Sequence, residues 1–139
     1  MAGQTTRVLS RTDYNFTQLA ANQSAIIALA RRVDTSRWRE CIVLVRLHAA
    51  SWANGAKVNF VWTPDGYTDE DPGLIWSAAT SSAIVTFTQG TDAAPAEKIG
   101  TIAAPFGPLI IPQLQFVQGT AGQTQFQVSV SVDLNLKGE

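Results

Sequence analysis

The stretch Thr124-Gln-Phe-Gln-Val-Ser-Val-Ser-Val-Asp-Leu-Asn-Leu136 decides the fold. As a strand it puts Phe126, Val128, Val130, Val132, Leu134 and Leu136 on one face and Gln125, Gln127, Ser129, Ser131, Asp133 and Asn135 on the other. A helix would scatter the six apolar side chains around its circumference, and a register slip of one residue would turn all of them into water. The pattern predicts a half-buried strand whose polar face meets solvent. Such a strand needs neighbours in a sheet and a second layer over its apolar side.

Working outward, the same periodicity recurs. Glu40–Ala49 sets Cys41, Val43, Val45 and Leu47 against Ile42, Leu44, Arg46 and His48, and the two extra apolar residues predict a central strand. Asn54-Gly55 predicts a tight turn into Lys57–Thr63, with Val58, Phe60 and Trp62 inward, so residues 40–63 read as a hairpin or close sheet pair. Ile84–Thr88, Ile99–Ile102 and Leu109–Gln118 are shorter strands; Val85, Phe87, Ile110, Leu114 and Phe116 point inward, and Pro112 predicts an edge or a bulge. Ala25–Val33 fits a strand better than the short helix that Ser24 could cap. Loops cover 64–73 and 89–97, and turns 105–108 and 119–122.

About eight short strands without an internal repeat predict an all-β, two-sheet antiparallel sandwich, a jelly roll first and an immunoglobulin-like sandwich second. Residues 1–12 read as an N-terminal arm or edge strand, and 13–139 as a single β-sandwich domain. A chain of 139 residues is long enough to bury a core without disulfides or metal. Its one cysteine, Cys41, falls in an apolar strand and reads as a reduced, buried thiol. The opening Met1-Ala-Gly-Gln-Thr-Thr-Arg7 lacks the apolar core of a signal peptide, and no run approaches the roughly 18 apolar residues of a membrane span. Synthesis in a cytoplasm and no membrane partner are the expectation.

Chemistry is sparse. One histidine and one cysteine do not build the usual zinc site, and Cys41 and His48 point to opposite faces of one strand roughly 23 Å apart, so they form no catalytic pair. The acidic loop Asp65, Asp69, Glu70 and Asp71 matches no calcium-loop spacing, supplies no carboxylates facing each other across a cleft, and reads as a solvated loop. No cofactor, metal site or catalytic residue is predicted. Trp52, Tyr67 and Trp76 lie near loops, where aromatic rings stack on sugars, and give a carbohydrate-binding, lectin-like module as the alternative function.

Charge is divided along the chain. Residues 1–57 carry eight Lys/Arg against three Asp/Glu, and residues 58–139 two against eight, balances of +5 and −6. Arg31, Arg32, Arg37 and Arg39 bracket one turn around Trp38 and form a candidate partner-binding cluster, with Asp65, Asp69, Glu70 and Asp71 as the complementary surface on a neighbouring copy or a shell protein. With a net charge of −1 and little aromatic interleaving, nucleic acid is not an expected partner.

A small-polar β domain without catalytic groups and with separated charge resembles the small β-sandwich structural proteins of tailed-phage particles, the head-decoration or cement proteins in particular. Val33-Asp-Thr-Ser-Arg37 running into Cys41–His48, Asp71-Pro72 and Val128–Lys137 carry the resemblance. It implies a non-enzymatic role on a virion surface after synthesis in the host cytoplasm, with copies of the chain itself, often as a trimer, and a major capsid or other shell protein as partners. It transfers no functional residue.

Overall fold

A computed structural model describes residues 3–16, 18–29, 33–35, 38–64, 83–102, 109–120 and 126–138. Nine strands are defined: β1 (Gln4–Asn15), β2 (Ser24–Ala28), β3 (Val33–Asp34), β4 (Glu40–Trp52), β5 (Lys57–Pro64), β6 (Val85–Thr88), β7 (Ala96–Ile102), β8 (Leu109–Val117) and β9 (Phe126–Lys137). They form two antiparallel sheets, one in the order β1-β9-β4-β7 and the other β2-β8-β5-β6, with β3 also on β8. Pairing is nested: β1 with β9, β2 and β3 with β8, β4 with β7, β5 with β6. A long antiparallel ribbon wrapped in this way into two facing sheets is a jelly roll.

The core lies between the sheets. Phe126, Val128, Val130, Val132, Leu134 and Leu136 of β9 are all buried, facing Cys41, Val43, Val45 and Leu47 of the same sheet and Val58, Phe60, Leu114 and Phe116 of the other. Each fully buried Phe, Leu or Val contributes about 1.5–3 kcal/mol relative to exposure, so this layer stabilises the sandwich. At one end Phe16, Tyr14 and Phe116 stack with centroids 4.5 and 4.9 Å from Phe116, and Phe126 meets Phe16 nearly edge-on.

Several local expectations change in the folded chain. β4 and β5 do not pair: β4 lies between β9 and β7, while β5 lies between β8 and β6. The Asn54-Gly55 turn, with Gly55 at φ +83° and Ala56 N–H donating to Ala53 C=O at 3.1 Å, reverses the chain and carries it from one sheet to the other. A tight turn fixes direction; which neighbours the strands acquire depends on β9 and β8, which arrive much later. β7 is longer than Ile99–Ile102, starting at Ala96. Pro112 lies in β8, which has neighbours on both sides, and faces a shift of register of the kind expected: Ala28 pairs with Gln113 and Val33 with Ile110. Its carbonyl accepts from Leu29 N–H at 3.0 Å, so its donor-less nitrogen faces the same side. Residues 24–28 are strand, not helix, with Ile27 packed on the core. The division at residue 12 falls inside β1, which pairs with β9 from Gln4 to Asn15.

Candidate assembly surface

The outer face of the four-stranded sheet is built on β9. Asp133 accepts two hydrogen bonds from Arg7 of β1, Nε to Oδ1 at 2.9 Å and Nη2 to Oδ2 at 3.0 Å, a fork-to-fork pair. One row along, Arg46 of β4 reaches Glu97 of β7 at 3.1 Å. Between them the small residues of β9 leave room for long neighbours: Arg11 Nε donates to Ser129 Oγ at 2.9 Å, and His48 Nε2 lies 2.8 Å from Ser131 Oγ. Ser129 and Ser131 are therefore only 3% and 1% exposed. This corrects the expectation that the polar face of the stretch meets water along its length: β9 is a central strand, and its flanks close over its hydroxyls. His48 titrates below the ordinary imidazole range, because its burial and the nearby Arg11, Arg46 and Arg7 all oppose a further positive charge.

The β7 side of this face differs. Among the described residues β7 is the edge strand, paired with β4 over seven successive positions from Cys41–Ile102 to Leu47–Ala96 without a register shift, whereas β1 at the opposite edge carries two. Glu97, Ile99 and Thr101 point outward, and Ile99 is 70% exposed beside the half-buried Leu44 and Ile42. Among the described residues only Ile26, at 47%, is another large exposed apolar side chain. On the inward side Gly100 lets β6 approach: a Cβ there would lie 2.9 Å from Ile84 C=O. Lys98 turns inward, donating to Thr86 C=O at 2.7 Å and Asp92 Oδ2 at 3.1 Å over the Phe87 ring.

Of the partner-binding residues predicted from sequence, Arg31, Arg32, Arg37, Asp65, Asp69, Glu70 and Asp71 lie outside the described residues, as do Tyr67 and Trp76 of the sugar-stacking set. Arg39 is exposed, its backbone N–H held by Lys137 C=O at 2.9 Å. Trp38 packs partly buried against the core. Trp52 meets Phe126 at 6.3 Å and 64°, edge to face, and with His48, Ser51, Gln89, Thr91 and Asp92 borders a depression of about 670 Å³ beyond the start of β7. Gln89 Oε1 is buried from solvent and has no hydrogen-bond partner among the described residues. Among the described residues no three His, Cys, Asp or Glu side chains gather as metal ligands. Burial raises the Cys41 thiol to about 11, so it is a neutral core residue at physiological pH. Ile99 and the Arg46–Glu97 pair were missed from sequence, although the alternation Glu97, Ile99, Thr101 marks one face of a strand.

No protein-family model matches the chain, and no curated protein matches it. Solved structures do. The structure of infectious bursal disease virus Gx strain superposes over 97% of this chain and 31% of its own, with a TM-score of 0.56 and 13% identity. The VP2 subviral particle of the same virus gives 97%, 32%, 0.56 and 13%, and the Gt strain 97%, 32%, 0.54 and 11%. The chain spans about a third of the length of those chains. At this identity the likeness is one of fold alone, and it extends over nearly all of the present chain.

Proposed function

We propose that the chain is a non-enzymatic structural protein of a virus particle, acting through protein–protein contacts, and that its place is to decorate or cement a phage capsid. The observation that carries the reading is the nested jelly-roll pairing, β1-β9-β4-β7 over β2-β8-β5-β6, which the chain shares in overall fold with proteins of viral particles. The histidine and the cysteine fit a structural role: His48 is committed to Ser131 and Cys41 is sealed in the core. Partners in this reading are further copies of the chain, as a trimer, and a shell protein. The Arg31, Arg32, Arg37 and Arg39 cluster, with Trp38, would dock on acidic surface such as Asp65, Asp69, Glu70 and Asp71. Mass spectrometry of density-purified particles should find the chain in fixed ratio to the shell protein, and purified chain should co-sediment with particles lacking it. Particles that neither contain nor bind it would overturn the proposal.

The depression beside Trp52, lined also by the polar residues Ser51, Gln89, Thr91 and Asp92, supports carbohydrate binding as a second reading. Glycan-array binding lost in Trp52→Ala, with the fold retained, would select it over assembly.

A further inference from the structure

Among the described residues the outer edge of β7 has no strand partner. We infer that two copies pair their β7 strands antiparallel about a twofold axis through Ile99, joining their four-stranded sheets into one sheet of eight. The inference rests on the assembly reading above and adds to it a twofold contact between copies, separate from the threefold contacts of a trimer.

Three observations on β7 converge. First, the strand is regular: its pairing with β4 has no register shift over seven positions, and it contains no proline. Edge strands of soluble monomers are usually interrupted by bulges, prolines or extreme shortness, because a flat edge templates pairing with another chain. Here the other edges show those features: β1 has two register shifts, β6 is four residues long, and β2 and β3 have five and two. Second, Ile99 stands 70% exposed on the outer face beside Leu44 and Ile42. Third, Glu97, the one outward charge of the strand, is already paired with Arg46 at 3.1 Å.

The sequence of β7 selects both the partner and the register. Ile99 is the midpoint of Ala96–Ile102, so a twofold there pairs the whole strand with its whole counterpart. Ile99 then faces Ile99, Glu97 faces Thr101, Lys98 faces Gly100 and Ala96 faces Ile102. No like charges oppose, and the most exposed apolar residue covers itself. Centring on Glu97 or Lys98 would oppose two carboxylates or two ammoniums, which destabilises a cross-strand pair. Centring on Thr101 would carry Ile99 past the end of the partner strand. The Arg46–Glu97 pair remains at the border of the patch. This contact is isologous, as a twofold requires. One strand pair buries less than a stable dimer needs, so it is weak between isolated chains and gains strength where a particle presents many copies.

Cysteine cross-linking reads the register directly. Cβ atoms of directly opposite residues lie roughly 4.5–5.5 Å apart, near the disulfide range. Ile99→Cys should cross-link to a dimer under mild oxidation, a mixture of Glu97→Cys and Thr101→Cys should give the mixed dimer, and each of those two alone should not. Cys41 is buried and does not compete. Ile99→Arg should weaken association by about tenfold or more in sedimentation equilibrium, since it apposes two guanidiniums. Ile99→Cys remaining unlinked, or Glu97→Cys alone linking, overturns the contact. If the wild-type chain still binds particles in that case, the structural role stands and another surface serves it. If the chain is absent from particles and monomeric at every concentration, both fall. A foreign strand on β7 would show as Ile99→Cys that stays unlinked on particles as well as in solution, and likewise overturns the homotypic contact.

Discussion

His48 Nε2 lies 2.8 Å from Ser131 Oγ, so the only imidazole of the chain rests on a buried hydroxyl of the adjacent strand, with Arg46 opposite that serine in register. Burial is the first cause that holds this ring neutral, and Arg11, Arg46 and Arg7 add to it. Protonation therefore occurs more readily in the unfolded chain than in the folded one. Where the unfolded state binds the extra proton, stability rises with pH. The contribution of His48 is thus present above the ordinary imidazole pKa of about 6.5 and is lost as pH falls below it toward the depressed folded value. NMR should show a single imidazole titrating below the ordinary value, and Arg46→Gln or Arg11→Gln should move it upward. An imidazole titrating at or above the ordinary value would contradict this.

Cys41 is fully buried and its thiol is raised to about 11 by desolvation. The thiolate is the reactive form, so the residue is protected both by access and by protonation. A chromogenic disulfide reagent at pH 8 should label the native protein no faster than the chain unfolds and should label it at once in denaturant. Rapid native labelling would place Cys41 outside the core.

Asp92 joins the end of β6 to β7. Its Oδ2 accepts from Thr88 N–H at 2.9 Å and from Lys98 Nζ at 3.1 Å. Its burial pushes the carboxyl pKa up, yet these bonds and the Lys98 charge outweigh that and hold it below the ordinary carboxylate range. The stabilisation is complete above the unfolded carboxyl pKa and is lost as pH falls through the depressed folded value. Asp92→Ala leaves Lys98 over Phe87 without its carboxylate and should cost about 1–3 kcal/mol at pH 7 by urea denaturation. The loss should shrink toward pH 3, where the wild-type carboxylate is also being neutralised. A loss equal at pH 7 and pH 3 would remove the ion pair as its cause.

The inward faces of β9 and β4 were legible in the sequence because alternation is a property of one strand, and Phe126 through Leu136 needed no knowledge of neighbours. The outer face was legible only in part. Ser129 and Ser131 read as solvated, and nothing near them in sequence reveals that Arg11 and His48 close over them; the Arg7–Asp133 pair joins residues 126 positions apart. Asn54-Gly55 marked a turn correctly, but its strands found partners in different sheets, a choice made by β8 and β9. Pro112 marked the shift of register on one side of β8, though not that β8 has β5 on its other side as well. The candidate surface was harder still, because the exposure of Ile99 follows from β7 lying at an edge, which is topology and not composition.

The two faces of β9 give the last prediction. Val132 is fully buried between Leu9 and Val45, its register partners. Val132→Asp places an unpaired carboxylate in the core and should cost more than about 4 kcal/mol, a large part of the roughly 5–15 kcal/mol of a domain of ordinary stability. Gln127, exposed at the start of the same strand, should accept Asp within about 0.5 kcal/mol. Ser131→Asp falls between them. Its carboxylate would be buried, but beneath His48 and opposite Arg46, where positive charge already waits. The variant should fold with an intermediate loss of about 1–3 kcal/mol. It should also reverse the behaviour of His48, raising its pKa above the ordinary value, so that the folded state binds the extra proton and the variant gains relative stability as pH falls from 8 to 6. Urea denaturation of the three variants at both pH values checks the ranking. Ser131→Asp as benign as Gln127→Asp, with an unmoved imidazole, would show that the outer face of β9 is open to water after all.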